Sequence, residues 1–200
     1  MEERDDAARS LERIRALMER AGKFSHLSAT AAFVAGGLAV AGSVISKTLG
    51  VNFNSATEAG RLAWIWGSVL VLALGESFAF TIADARRRGD PFWGPLTHQV
   101  LLAMAPAFFI GATVTGYGLR TGQLDLLPPF WSLAYGASLM ALGLYAGRRI
   151  QAVGVLFLLA GAASLFWWRE YGLRTMLAAF GGGHLLLGAL IAWKPRASAD

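Results

Sequence analysis

Six runs of apolar residues, each about 20 long, alternate with short polar stretches along the chain. At 1.5 Å per residue a run of that length crosses the hydrocarbon core of a bilayer. The runs fall at 25–46, 62–83, 96–117, 129–146, 151–168 and 175–193. The fourth and fifth are short, and only Gly147, Arg148, Arg149 and Ile150 part them, so their shared boundary is the least determined. Ahead of the first run, 5–23 reads DDAARSLERIRALMERAGK, with Leu11, Ile14, Met18 and Ala21 at three- and four-residue spacing. That spacing predicts an amphipathic helix, with Asp5 or Asp6 as cap and Gly22 as stop. Its narrow apolar stripe and basic flank suit a helix lying on the inner membrane surface. A coiled coil is the weaker alternative, because the heptad pattern lasts barely two repeats.

The pattern therefore predicts an all-α fold, a polytopic membrane helix bundle. A short N-terminal amphipathic cytoplasmic helix occupies 1–24, six transmembrane helices occupy 25–194, and a cytoplasmic tail occupies 195–200. Composition agrees: 55% hydrophobic residues, 24 Gly and only 16% charged residues are too apolar for a soluble domain of this size.

Charge sets the orientation. Lys and Arg in or beside the short loops divide 13 against 5, with the N-terminal segment, Arg86 to Arg88, Arg148, Arg149, Lys194 and Arg196 on the richer side. The positive-inside bias then predicts that both termini are cytoplasmic. A basic cytoplasmic rim also accounts for the net charge of +5 without nucleic acid. The tryptophans fit the same frame, since Trp64, Trp66, Trp131, Trp167 and Trp168 fall at predicted outer ends and Trp93 and Trp193 at inner ends. The chain has no cysteine, which excludes disulfides and thiolate metal sites. Its first 24 residues are charged rather than apolar, so no cleavable signal peptide is expected.

Helices in lipid associate through small residues and close packing. The first run carries two such rows, Ser28-Ala32-Gly36 and Ala31-Ala35-Ala39-Ser43, and can be packed on more than one side. Gly67 and Gly75, Ala107-Gly111-Thr115 and Gly143-xxx-Gly147 serve the next three. Gly181-Gly182-Gly183 lets a neighbour's backbone approach beside His184. Pro106 is expected to kink the third helix and free the carbonyl of Leu102, one turn from His98. The first three runs do not match the last three, and paired broken helices are absent, which counts against a familiar secondary transporter.

The candidate chemistry is a ladder of ionisable groups. Glu76 is the one carboxylate well inside an apolar run, where a charge costs at least about 2.5 to 3.5 kcal/mol and so calls for a partner. His184, near the middle of the last run, is the expected partner. On the helical rise Glu76 lies about 5 Å to the cytoplasmic side of the midplane, with His98, His26 and Asp84 roughly 13 to 17 Å to that side. Glu76, Phe80 and Asp84 recur every fourth residue, so both acids leave one helix face.

Three readings of the ladder stand. Glu76 and His184 hydrogen-bond and fix helix register; or the group carries protons or cations; or His98, His184 and Glu76 hold a metal or a haem. No cofactor is required by the sequence, and no His-x-x-His, Glu-x-x-His or His-Glu-x-x-His spacing favours a metal. Walker loops, the Gly-x-Ser-x-Gly elbow and dinucleotide fingerprints are all missing, so enzyme chemistry is not indicated.

The strings LMERAGKFSHLSATAAFVAGG at 17–37, LPPFWSLAYGASL at 127–139 and FGGGHLLLG at 180–188 resemble those of a group of uncharacterised bacterial six-helix membrane proteins. The likeness runs over most of the chain. It implies a bacterial inner-membrane protein in which His184 belongs to the group's pattern, and it brings no substrate, cofactor or catalytic residue. The expected function is an integral inner-membrane protein handling protons, ions or a small solute at Glu76, His184, His98, Asp84 and His26. The alternatives are a cofactor-free accessory or sensory subunit that binds a membrane protein partner or a second copy of itself, and a membrane metal or haem protein. Lipid is the partner common to all three.

Overall fold

The computed structural model describes residues 27–89 and 93–193. The N-terminal helix expected over 5–23, His26 and the tail lie outside the described residues. Within them the chain is all-α, with no strand. Helices α1 (Ala29–Thr48), α2 (Ala59–Arg88), α3 (Pro95–Thr121), α4 (Leu127–Ala146) and α5 (Arg148–Trp167) are followed by a last rod in three parts. That rod is α-helical over Gly172–Thr175 (α6), π-helical over Met176–Gly182 and α-helical again over Gly183–Ala192 (α7).

The ends follow from local chemistry. Ser28 Oγ accepts from the Ala31 N–H at 3.3 Å and caps α1. Gly89 and Gly122, at φ 72° and 77°, stop α2 and α3 in the left-handed conformation that glycine adopts without strain. Pro95 opens α3, and the helix continues unbroken through Pro106. Gly147 alone, at φ 104°, reverses the chain between α4 and α5. The polar turn expected over 147–150 is thus shorter, because Arg148 and Arg149 already belong to the first turn of α5. Arg149 Nη1 donates to the carbonyls of Leu190 and Trp193, at 3.4 and 2.9 Å, and so complements the C-terminal end of the last rod.

Five stretches, built on α1, α2, α3, α5 and the last rod, are long and apolar enough to cross a membrane. The exception, α4, has two prolines, Trp131, two tyrosines and two serines among its residues. Its position explains the tolerance: Pro128, Pro129, Ser132, Gly136, Ser138, Leu139 and Gly143 are all buried, so little of its polarity faces outward. The α4–α5 hairpin packs backbone to backbone. A Cβ on Gly136 would lie 2.8 Å from the Gly154 carbonyl, and one on Gly161 would lie 2.8 Å from the Pro129 carbonyl. Only small residues allow that approach.

Helix α1 packs on α2 on one side and on the last rod on the other, as its two small-residue rows predict. Gly36 meets the Gly181 carbonyl and Leu185, while Gly42 meets Val69 and Trp66. The α3 helix packs mainly on α4. The outermost surfaces belong to α2 and α3, where 6% and 11% of the apolar window is buried against 44% in α1.

One end of the bundle is tied together by its connections. Val51 and Phe53 tuck under it and pack with Leu62, Trp66, Leu124, Leu127 and Met176. The Asn54 amide donates to the Glu170 carbonyl at 2.8 Å, and Arg169 pairs with Asp125 at 2.5 Å. Trp66 and Trp131 belong to this end cluster rather than to an outer belt: Trp66 is buried, and Trp131 Nε1 donates to Thr115 Oγ1 at 2.8 Å. The other five tryptophans are exposed, as residues of a belt would be.

Candidate functional site

The most organised polar group among the described residues forms where α4 and α5 meet the last rod. Two of the three consecutive glycines admit neighbours. A Cβ on Gly181 would stand 3.0 Å from Val40 of α1, and one on Gly183 would stand 2.6 Å from Phe157 of α5, whereas Gly182 faces open space. Phe157 therefore reaches the last rod only because residue 183 has no side chain. The π-helical turns before it widen the ladder by one residue, so that the Gly183 N–H reaches the Ala178 carbonyl.

His184 follows at once, and both of its ring nitrogens are engaged. Nδ1 lies 2.8 Å from the Phe180 carbonyl, and Nε2 lies 2.8 Å from the Tyr135 hydroxyl of α4. A carbonyl can only accept, so Nδ1 carries the proton and donates. In the neutral ring Nε2 then offers its lone pair, and the Tyr135 hydroxyl donates to it. Three aromatic rings enclose the imidazole. The centroid of Tyr135 is 4.9 Å away, that of Phe157 5.8 Å at an interplanar angle of 88°, and that of Phe180 6.1 Å in a stacked arrangement. The three also touch one another, with Tyr135 to Phe157 at 4.9 Å and Phe157 to Phe180 at 5.5 Å. His184 thus carries a proton on Nδ1 and sits half-buried in an aromatic cluster drawn from three rods.

Among the described residues the structure does not gather the acids and histidines of the expected ladder at one place. Glu76 does not pair with His184. Its Oε1 accepts from Ser77 Oγ at 3.2 Å, and its Oε2 is covered and has no hydrogen-bond partner. The physical reason is the order of the rods, since α2 packs on α1 and α1 intervenes between it and the last rod. With Gly42 opposite Val69, seven residues along each antiparallel helix bring Glu76 to the level of Ala35, in the small-residue row of α1. His98 is exposed in the first turn of α3, where its backbone N–H donates to the Gly94 carbonyl at 3.1 Å. Asp84 is half-buried on α2 and has an interaction of its own. His26 lies outside the described residues.

Nor do His98, His184 and Glu76 form a ligand set. Among the described residues no three of His, Cys, Asp and Glu gather where a metal ion could sit. Both nitrogens of His184 have partners within the protein.

Tyr135 is the functional candidate that inspection of acids and histidines passes over. Its signal was nevertheless present, because a phenol near the middle of an apolar run must find a hydrogen-bond partner there. No protein family model, curated protein or solved structure matches the chain.

Proposed function

We propose that the chain is an integral membrane protein of six spans in which the His184–Tyr135 pair is a proton-responsive centre, so that it handles or senses protons or a small polar solute. The observation that carries this reading is the setting of the pair. A single-tautomer imidazole with its acceptor nitrogen on a phenol stands two residues beyond a seven-residue π-helix. Helices of that kind are rare and are retained mostly where the irregularity serves a site. Protonation at Nε2 requires the Tyr135 hydroxyl to turn from donor to acceptor, while Nδ1 stays bonded to the Phe180 carbonyl. One proton thereby reverses the bond between α4 and the last rod and sets a cation among three aromatic rings.

The membrane reading has its own support. Since Gly147 alone joins α4 to α5, α5 cannot cross a bilayer without α4 beside it, and the less apolar helix becomes the sixth span. The excess of Lys and Arg at 13 against 5 favours cytoplasmic termini, and the resemblance to bacterial six-helix proteins favours an inner membrane. Cysteines introduced at Ser55 and Gln123 should react with an impermeant external reagent, and one at Gly89 should not. Labelling at Gly89 in intact cells overturns the orientation.

The centre is tested by nitrogen NMR of histidine-labelled protein in nanodiscs. His184 should show the Nδ1–H tautomer, and acidification should shift its Nε2 signal together with the Tyr135 ring carbons. A His184 signal that stays constant over every pH at which the protein remains folded sinks the proposal.

Glu76 favours a second reading, an accessory subunit that binds another membrane protein or a second copy. A carboxyl group with one unpaired oxygen stands at mid-helix on α2, the helix with the least buried surface. Glu76→Leu should then abolish co-purification of the partner or dimer. Unchanged assembly in that variant removes this reading.

A further inference from the structure

A groove separate from the His184 cluster runs between α5 and the last rod. It starts at the end where the connections are tied together and descends from Trp168 to Ala160, roughly 12 Å along α5. Its volume of about 370 Å³ lies within the range of small-molecule sites. The floor is Ala160, Ala178 and Ala179, a furrow without side-chain bulk, and the mouth carries Trp168, Tyr171 and Arg174. Polarity is confined to the mouth, because the hydroxyl of Thr175 on the wall is engaged at 2.8 Å by that of the buried Ser164 behind it. Arg174 is exposed, its guanidinium rests 4.5 Å over the Tyr171 ring, and it forms no ion pair with a described residue, although Glu170 stands one turn away. A cation held by a ring beside exposed indoles is the arrangement found at headgroup level, and an alkyl-wide furrow below it leads to membrane depth.

We propose that this groove holds one anionic membrane lipid, with its phosphate at Arg174 and one acyl chain along Ala160 and Ala178. The proposal rests on the membrane reading given above. The chemistry is complementary at both ends: the unpaired guanidinium takes the phosphate, and the alanine floor takes methylene groups that would meet only lipid or water otherwise. A neutral zwitterionic lipid brings its own cation to the same mouth and is disfavoured there. Ala178 and Ala179 of the floor belong to the π-helical segment that also carries Phe180, so the lipid and the His184 cluster share one structural element.

The test is native mass spectrometry of the full chain released from nanodiscs of phosphatidylglycerol mixed with phosphatidylcholine. The wild type should retain one phosphatidylglycerol in preference to phosphatidylcholine. Arg174→Gln should cut that retention roughly fivefold, the scale of one cation lost near a membrane surface, and Arg174→Lys should restore most of it. Ala178→Phe should block the furrow and abolish retention with Arg174 still present. Arg120→Gln, at the same end of the bundle, should change nothing. Equal retention by wild type and Arg174→Gln overturns the proposal. So does an unaffected Ala178→Phe, or competition by short-chain phosphatidylglycerol as strong as by the long-chain lipid, since the head group alone would then suffice. A chain that stays in solution without detergent would instead overturn the membrane reading, whereas one that needs detergent but shows no headgroup preference overturns the groove alone.

Discussion

The hydroxyl of Tyr135 and Nε2 of His184 lie 2.8 Å apart across 49 positions of sequence, and this bond joins α4 to the last rod inside the aromatic cluster. Because the Phe180 carbonyl can only accept, Nδ1 carries a proton, and in the neutral ring the Tyr135 hydroxyl is the donor to Nε2.

Tyr135→Phe keeps the ring and removes the donor, and His184→Phe keeps a ring where the imidazole was. In a double-mutant cycle by detergent unfolding, the two changes should couple by roughly 0.6 to 1.7 kcal/mol, from the average to the upper end for hydrogen bonds between membrane helices. A coupling indistinguishable from zero would mean that the bond contributes nothing beyond ring packing.

Two adjacent glycines should respond oppositely. At Gly183 a methyl group would stand 2.6 Å from Phe157, which is 2% exposed and has rings on its other sides, so Gly183→Ala should destabilise by about 1 to 3 kcal/mol through overpacking. Phe157→Leu in the same chain should recover part of that loss. At Gly182 nothing lies within 4 Å, and Gly182→Ala should be neutral or gain up to about 1 kcal/mol from lower backbone entropy in the unfolded chain. Thermal unfolding of the three variants decides it, and equal loss at 182 and 183 would refute the steric argument.

How much of this was legible in the sequence depends on what hydropathy reports. It reports where along the bundle each residue stands: the run expected at 129–146 is the helix Leu127–Ala146, and the run expected at 96–117 is contained in Pro95–Thr121. It does not report which helix stands beside which. Glu76 and His184 have similar heights, and the ladder failed because α1 separates their helices, a fact held in contacts such as Gly42 with Val69 and Gly36 with Gly181. The small-residue rows on two faces of α1 did predict that it would be packed on both sides. The π-helical stretch has no simple pattern of its own, and Tyr135 was overlooked because it is neither charged nor a usual metal ligand.

At the tied end of the bundle, burial rather than charge should hold the 49–58 connection. Phe53 is 1% exposed, against Trp66 and Trp131 at centroid distances of 6.2 and 6.0 Å, so Phe53→Ala should cost about 3 to 5 kcal/mol. The Arg169 side chain of the nearby ion pair is 45% exposed, and Asp125→Asn should cost no more than about 1 kcal/mol. Protease access to that connection, measured with the unfolding midpoint, separates the two; a larger effect at Asp125 would place the clasp's strength in the ion pair.

The sharpest contrast concerns Glu76 and His184 as a pair. Each has its own partners, Ser77 for one and Tyr135 with Phe180 for the other, and none is shared. Glu76→Leu removes a covered oxygen that bonds nothing, so it should leave the unfolding free energy unchanged or raise it, while His184→Leu breaks two bonds and the aromatic stack and should lower it. The double variant should equal the sum of the singles within about 0.3 to 0.5 kcal/mol, as expected of sites without common partners. A coupling of 1 kcal/mol or more on that scale would show that the two groups sense each other after all, through a water chain or a second conformation, and the separation of α2 from the last rod by α1 would no longer describe the working protein.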